Sequence, residues 1–348
     1  MLATSKRADD ITAFSYADFP VGHGDLDLRG DNSAPLDVLT PLLDRPQAHP
    51  GHLADYGPVQ GDEALRDAIA AVFSVPSAHI VVTNGASEAL MLLLHTLADP
   101  GDTIALPQPA FPGYRQLARM TDLRAVYYDA TVAPPQPDPG TRVVLVCTPH
   151  NPTGLITGRA DVPGRSGAWL IWDLSHSALF DDTTRGFQTG LAGHEAVVFS
   201  LSKLLRVPGA RVGFVVCGSS RVSARIVAAK THLSMSTSHL SQVLARQLLA
   251  SAQARHEIGE RHAQMTSARD RVLAAVQQTS MFTAAAARGG THLLLTSRSG
   301  GDAWLRLKEA GLVGLPGHVF DAGPSSVRLC TAQPPVVIDA AISRIGGL

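Results

Sequence analysis

Polar residues capable of chemistry follow a series of short apolar runs along the chain. His79–Thr83 (HIVVT) leads into Asn84-Gly85-Ala86-Ser87-Glu88, and Thr103–Leu106 (TIAL) is followed by Pro109-Ala110-Phe111. Arg142–Cys147 (RVVLVC) runs into Thr148-Pro149-His150-Asn151-Pro152-Thr153-Gly154, and Trp169–Trp172 (WLIW) ends at Asp173. Ala196–Ser200 (AVVFS) leads to Leu201-Ser202-Lys203, with Arg211 eight residues further on, and Arg328 lies in VRL near the end. These residue types suit one anionic aromatic cofactor. An amine is a useful nucleophile toward an aldehyde only when desolvation or a nearby cation lowers its pKa. The chain has four lysines (Lys6, Lys203, Lys230 and Lys308), and only Lys203 sits between a buried-strand candidate and a Gly-rich segment.

The elements that must position these groups are legible as periodicities. Leu65, Ile69, Val72 and Phe73 recur on one helix face until Pro76 ends the run. Ser87–Leu97 reads as an apolar helix, Asp99-Pro100-Gly101-Asp102 as a turn, and Tyr114–Thr121 as a helix. Arg124–Tyr128 and Val212–Cys217 are further strands. After Ser219 a helical pattern continues for about sixty residues. His292–Thr296, a helix around Asp302–Ala310 and Ser326–Cys330 suggest a smaller α+β unit. Nearly continuous apolar strands alternating with helices predict an α/β fold with a mostly parallel sheet. Ligands of such sheets bind beyond the carboxyl ends of the strands.

Composition narrows the function classes. Of 348 residues, 45% are hydrophobic and 17% charged, which makes the chain globular. Lys plus Arg is 29 and Asp plus Glu is 30, so a nucleic-acid footprint or a polybasic membrane anchor is not expected. Three cysteines, Cys147, Cys217 and Cys330, fit neither a disulfide framework nor a zinc cluster, and no metal site is expected. The first twenty residues lack an apolar signal core, and Ala89–Ala98 is too short to span a bilayer. A cytoplasmic protein is the expectation.

Taken together, in order and spacing, the segments from about Tyr56 to Arg328 resemble the fold-type I pyridoxal phosphate (PLP) enzymes of the class I/II aminotransferase family. The resemblance implies a three-layer large domain with a mostly parallel sheet (residues 45–235). It also implies a smaller α+β domain built from both chain ends (residues 1–44 and 236–348). It makes Lys203 the Schiff-base lysine and Asp173 the partner of the pyridine nitrogen. Gly85, Ala86 and Ser87 would open a phosphate-binding helix, aided by Ser200, Ser202 and Arg211. Tyr56, in YGPVQG, matches a position that reaches the phosphate of the neighbouring subunit, so a homodimer is implied. Phe111 would stack on the pyridine ring and Asn151 would bond the phenolic oxygen. Arg328 would bind the substrate α-carboxylate, beside the backbone of Gly30.

Three departures from the family pattern stand out. A tyrosine is usual three residues after the pyridine-binding aspartate, but here the run is Asp173-Leu174-Ser175-His176. His176 and Ser175 are both candidate donors to the phenolic oxygen. The Gly154–Asp173 connection is short and broken near Pro163-Gly164 and Gly167, which predicts a shortened or lost helix. His292, in GGTHLLL, stands where aromatic residues are common; both a substrate-facing ring and an interior histidine fit it. His23 reads by default as an exposed loop residue, with closure over the site by the amino-terminal segment, as the resemblance allows, the alternative.

The implied activity is amino-acid transamination with a 2-oxo acid as the second substrate. The alternative is a PLP-dependent lyase, decarboxylase or specialised amino-acid oxidase or cyclase on the same fold. A PLP-dependent transcription regulator is not expected, because the segment before Tyr56 lacks a basic helix-turn-helix pattern.

Overall fold

The structure, a computed structural model, describes residues 5–44, 54–132, 134–136, 138–162, 167–177, 182–188 and 190–348. Seven strands form the large sheet: β1 Ile80–Thr83, β2 Thr103–Gln108, β3 Arg124–Asp129, β4 Thr141–Cys147, β5 Trp169–Asp173, β6 Glu195–Ser200 and β7 Gly213–Cys217. Their spatial order is β1-β7-β6-β5-β4-β2-β3. Strand β7 runs antiparallel to β1 and β6, and the remaining pairs are parallel. The inner strands are apolar on both faces because helices cover both sides. At the edge, β3 carries Arg124 and Asp129 and is only partly buried, which discourages edge-to-edge pairing.

The helices that cover this sheet are α1 Glu63–Phe73, α2 Ala86–Leu97, α3 Gly113–Met120, α4 Ser220–Leu233 and α5 His239–Ala250. On one face α1 and α5 pack against β1, β5, β6 and β7 through Leu65, Ile69, Phe73 and Leu248. On the other, α2, α3 and α4 pack through Leu90, Leu93, Tyr114 and Ile226. The arrangement is three layers. Helix α1 begins where Asp62 caps it by accepting from Leu65 N (2.8 Å), and its Leu65–Ile69–Phe73 stripe is fully buried.

The long helical run after Ser219 is three helices: α4, α5 and α6 Ala252–Gln278. Serines make the breaks. Ser238 caps α5 and Ser251 caps α6, each hydroxyl accepting a backbone N–H that the new helix would leave unpaired. Between Gly154 and Asp173 the described residues contain one 3-10 turn, Arg159–Asp161, and no α-helix; residues 163–166 lie outside the described set.

A second sheet has the order β10-β11-β9-β8, from β8 Phe282–Ala284, β9 His292–Ser297, β10 Leu315–Pro316 and β11 Ser326–Cys330, all antiparallel. Helix α6 and α7 Pro335–Gly346 cover it, with Val272, Val276, Ile338 and Ile345 meeting Leu293, Leu295, Val327 and Leu329. The periodicity reading did not single out α7. The amino-terminal residues Leu26–Asp27 pair in parallel with Leu312–Val313, which ties the start of the chain to this second unit. No helix among the described residues is long and apolar enough to cross a membrane.

Candidate active site

The parallel strands end on one side of the large sheet, and their following residues converge on a cavity of about 510 Å³. Residues from both sheets line it: Ala86, Ser87, Phe111, Asn151, Asp173, Ser175, His176, Ser200, Ser202, Lys203 and Arg211 from the large sheet's loops, and His292, Arg328 and Cys330 from the second sheet. Gly30 joins them from the amino-terminal segment. Strand pleat explains the second group. His292 faces Cys330 and Leu294 faces Arg328 in the β9–β11 register, so the side chains alternate between the cavity and the apolar core.

Asp173 ends β5 with its carboxylate buried. Tyr114 donates its hydroxyl to Asp173 Oδ2 (2.7 Å), and Ser175 N donates to Oδ1 (2.8 Å). Burial pushes the carboxyl pKa up, and the Ser175 and Tyr114 hydrogen bonds hold it back. Tyr114 was not among the expected site residues. Its signal was present, since it lies three residues after Phe111 and shares the face of α3's first turn. Their rings meet edge-on, with centroids 5.6 Å apart.

Lys203 sits in the short helix Leu201–Leu204, which starts where the Ser200 hydroxyl accepts from Ser202 N (3.2 Å). Its surface is exposed to the cavity, and protein atoms crowd around it there. That enclosure is the main force lowering its pKa. Arg328 and Arg206 also lower it, while Cys330 and Asp31 oppose them.

Gly85 precedes α2 with φ +89°, and a Cβ there would stand 2.6 Å from Arg211 Nη2. The missing side chain therefore lets the Arg211 guanidinium approach the start of α2, where free backbone N–H groups and the helix dipole favour an anion. Arg211 itself has a left-handed backbone (φ 51°) and donates from Nη2 to the Asn84 carbonyl (3.3 Å). Gly85 backs this cradle and does not itself line the cavity.

Arg328 is buried. Its Nη1 donates to Asn151 Oδ1 (3.1 Å), Nη2 donates to the Arg29 carbonyl (2.6 Å), and the Phe320 ring lies 4.7 Å from its guanidinium carbon. Arg328 Nε and the Ser202 hydroxyl are buried without a protein partner. Such donors are costly unless something polar meets them, so the cavity is built for a polar guest.

His176 and His292 meet edge-to-face across the cavity wall, with ring centroids 4.7 Å apart. Burial first, and then Lys203 and Arg328, lower His176 to about 3. Burial, Arg328 and His176 likewise push His292 well down. Both rings are neutral at ordinary pH. His292 is buried and lines the cavity wall. Burial also lowers the nearby His150 to about 4, and its ring contacts the Thr153 hydroxyl at 2.8 Å.

Tyr56 is 75% exposed and lines no part of this chain's own cavity. His23 is exposed as expected. Among the described residues no group of three or more His, Cys, Asp or Glu side chains is placed to hold a metal ion.

The fit to a phosphorylated pyridine aldehyde follows from these features. The Gly85–Arg211 cradle matches a phosphate, the buried Asp173 carboxylate matches a pyridine nitrogen, Lys203 matches an aldehyde, and the unpartnered Ser202 and Arg328 donors match anionic oxygens.

Known proteins agree with this. A family model for aminotransferase class I and II matches residues 20–345. Histidinol-phosphate aminotransferase of Moorella thermoacetica is 30% identical over 44% of this chain and 44% of that protein. The 1-aminocyclopropane-1-carboxylate synthase 3 of Oryza sativa subsp. japonica is 30% identical over 77% of this chain and 71% of that protein. The chain spans about half the length of the first of its curated relatives. An aminotransferase from Mycobacterium tuberculosis has the same fold, with a TM-score of 0.85 over 100% of this chain and 99% of that one at 23% identity.

Proposed function

The chain belongs to the class I and II aminotransferase family, whose enzymes work with pyridoxal 5'-phosphate, and from that premise we propose that it is a PLP-dependent aminotransferase of an L-amino acid. The observation that carries this reading is the meeting of Lys203, Asp173, Arg211 and Arg328 in one cavity from four separated segments. When bound, the cofactor supplies an aldehyde for amines and an electron-withdrawing pyridinium ring.

The residues divide the remaining work. The amides of Ala86 and Ser87, the hydroxyls of Ser200 and Ser202 and the Arg211 fork would hold the phosphate, with Gly85 behind them giving the fork room. Tyr56 of a second copy completes that site, which accounts for its exposure here. Asp173, held by Tyr114, would pair with the pyridine nitrogen, and Phe111 would pack against the ring. Asn151, Ser175 and His176 address the phenolic oxygen. Arg328, Gly30 and Asn151 orient the substrate carboxylate. The amine of Lys203, its pKa lowered chiefly by burial, would accept the proton from the substrate Cα and return it. An α-amino acid and a 2-oxo acid are the two substrates. Three free, buried cysteines suit a reducing compartment such as the cytoplasm.

A second reading keeps the cofactor and changes the reaction to elimination, decarboxylation, oxidation or cyclisation. The neutral His176–His292 pair favours it, because it replaces a phenol donor with an imidazole. One experiment separates the two. Supplied with an amino acid and no oxo acid, a transaminase releases one equivalent of 2-oxo acid per site and stops. A lyase turns over repeatedly. Lys203→Ala is expected to abolish turnover and to let PLP leave on dialysis; retention of both would overturn the assignment.

A further inference from the structure

The amino-terminal segment crosses the mouth of the cavity and is tied down on both sides. Upstream, Gln116 Nε2 donates to Thr12 Oγ1 (2.8 Å) and Arg119 Nη1 donates to the Asp10 carbonyl (2.7 Å), both from α3 on the large sheet. Downstream, Arg29 Nη1 donates to the carbonyls of Tyr16 (2.7 Å) and Phe19 (2.8 Å). Arg29 is itself gripped by both oxygens of Asp27 (2.8 and 2.7 Å), and its guanidinium carbon lies 5.9 Å from the centroid of the Tyr16 ring. The backbone of Tyr16 is thus fixed, and its side chain lines the cavity.

The phenol end of Tyr16 has a definite place. Its oxygen is 3.5 Å from where a Cβ on Gly30 would stand, and it lines the same cavity as Arg328. The hydroxyl carries one proton that it can donate into the cavity that Arg328 shares. Phe14 packs edge-on against Tyr16 at 5.3 Å and supplies apolar cover, a task that needs no hydroxyl.

We propose that the Tyr16 hydroxyl is a substrate-positioning group that donates to the α-carboxylate of the amino acid, forming a clamp with Arg328 across the bare backbone of Gly30. The proposal rests on the carboxylate-binding role of Arg328 given above. A carboxylate offers about four lone-pair sites; the Arg328 fork takes at most two, and the phenol takes a third. A Cβ on Gly30 would stand in ordinary contact with the phenol, 3.5 Å from its oxygen, so the bare backbone leaves that volume beside the hydroxyl to the substrate.

The test uses the PLP-loaded protein and two small probes, propanoate and its amide, propanamide, with binding read by calorimetry. Tyr16→Phe is expected to weaken propanoate about tenfold, the worth of one hydrogen bond to a charged group. Propanamide binding and PLP retention are expected to stay unchanged. The KM for the amino acid should rise by a similar factor, with kcat within about twofold. Unchanged propanoate binding in Tyr16→Phe overturns the proposal, even if Tyr16→Ala weakens it, because the ring would then be cover only. If the unaltered protein does not prefer propanoate to propanamide, the Arg328 reading itself fails and takes the proposal with it.

Discussion

At the scale of single residues, burial decides what each ionisable group can do. Lys203 and the histidines of the cavity all lose protons more readily than in water, because their walls disfavour charge and Arg328 adds repulsion. This has a consequence for stability. In the unfolded chain a histidine protonates near 6.5, whereas folded His150 stays neutral down to about 4 and folded His176 down to about 3. Between those values the unfolded state binds more protons, so stability falls as the pH drops from about 7 toward 4. Each such ring contributes up to about 1.4 kcal/mol per pH unit. Denaturant midpoints measured at pH 7.5, 6 and 5 should decline, and His176→Gln should flatten that decline. An unaltered slope in the variant would mean that the ring is not held neutral.

At the scale of elements, the site depends on close approach between backbones. Strand β7 passes directly beneath the start of α2, and a Cβ on Gly213 would stand 2.7 Å from Gly85 C, 2.8 Å from Phe199 O and 2.9 Å from Ala86 N. None of these backbone atoms can rotate away. Gly213→Ala is therefore expected to cost about 2 kcal/mol of stability and to push α2 off its cradle. Thermal unfolding should show a lower midpoint, and equilibrium dialysis should show weaker PLP binding. Loss of stability alone, with PLP affinity intact, would separate the sheet contact from the cradle. Pairing of Tyr114 with Asp173 is another element-level arrangement: α3 reaches over the sheet to hold a carboxylate that belongs to β5.

At the scale of the whole molecule, the cavity is a seam. His176 comes from the large sheet and His292 from the second one, and Arg328 of β11 bonds Asn151 of the large sheet's loop. The amino-terminal segment closes the seam by holding α3 at one end and Arg29 at the other. Tyr56 points away from all of this, which gives the isolated chain an incomplete phosphate site under the function proposed here. Sedimentation of the loaded protein is expected to report two copies. Dilution that separates them should release PLP, and Tyr56→Ala should weaken PLP binding in the pair. A monomer that retains PLP as tightly would remove Tyr56 from the site.

The sequence alone determined the alternation of strands and helices, which is local, and by resemblance named most of the residues that the structure brings to one cavity. Apolar runs mark buried strands, and polar groups directly after Thr83, Cys147, Trp172 and Ser200 must emerge at strand ends. Serine breaks in the long helical run and the carboxyl-terminal helix α7 were less legible. Their apolar periods continue across the caps or are judged only against the sheet that they cover. What only the tertiary structure decided is which distant groups touch. Tyr114 on Asp173 and His176 against His292 join residues 59 and 116 positions apart. No sequence period records such contacts, because they arise from the packing of separate elements, with burial then setting the charge that each group carries.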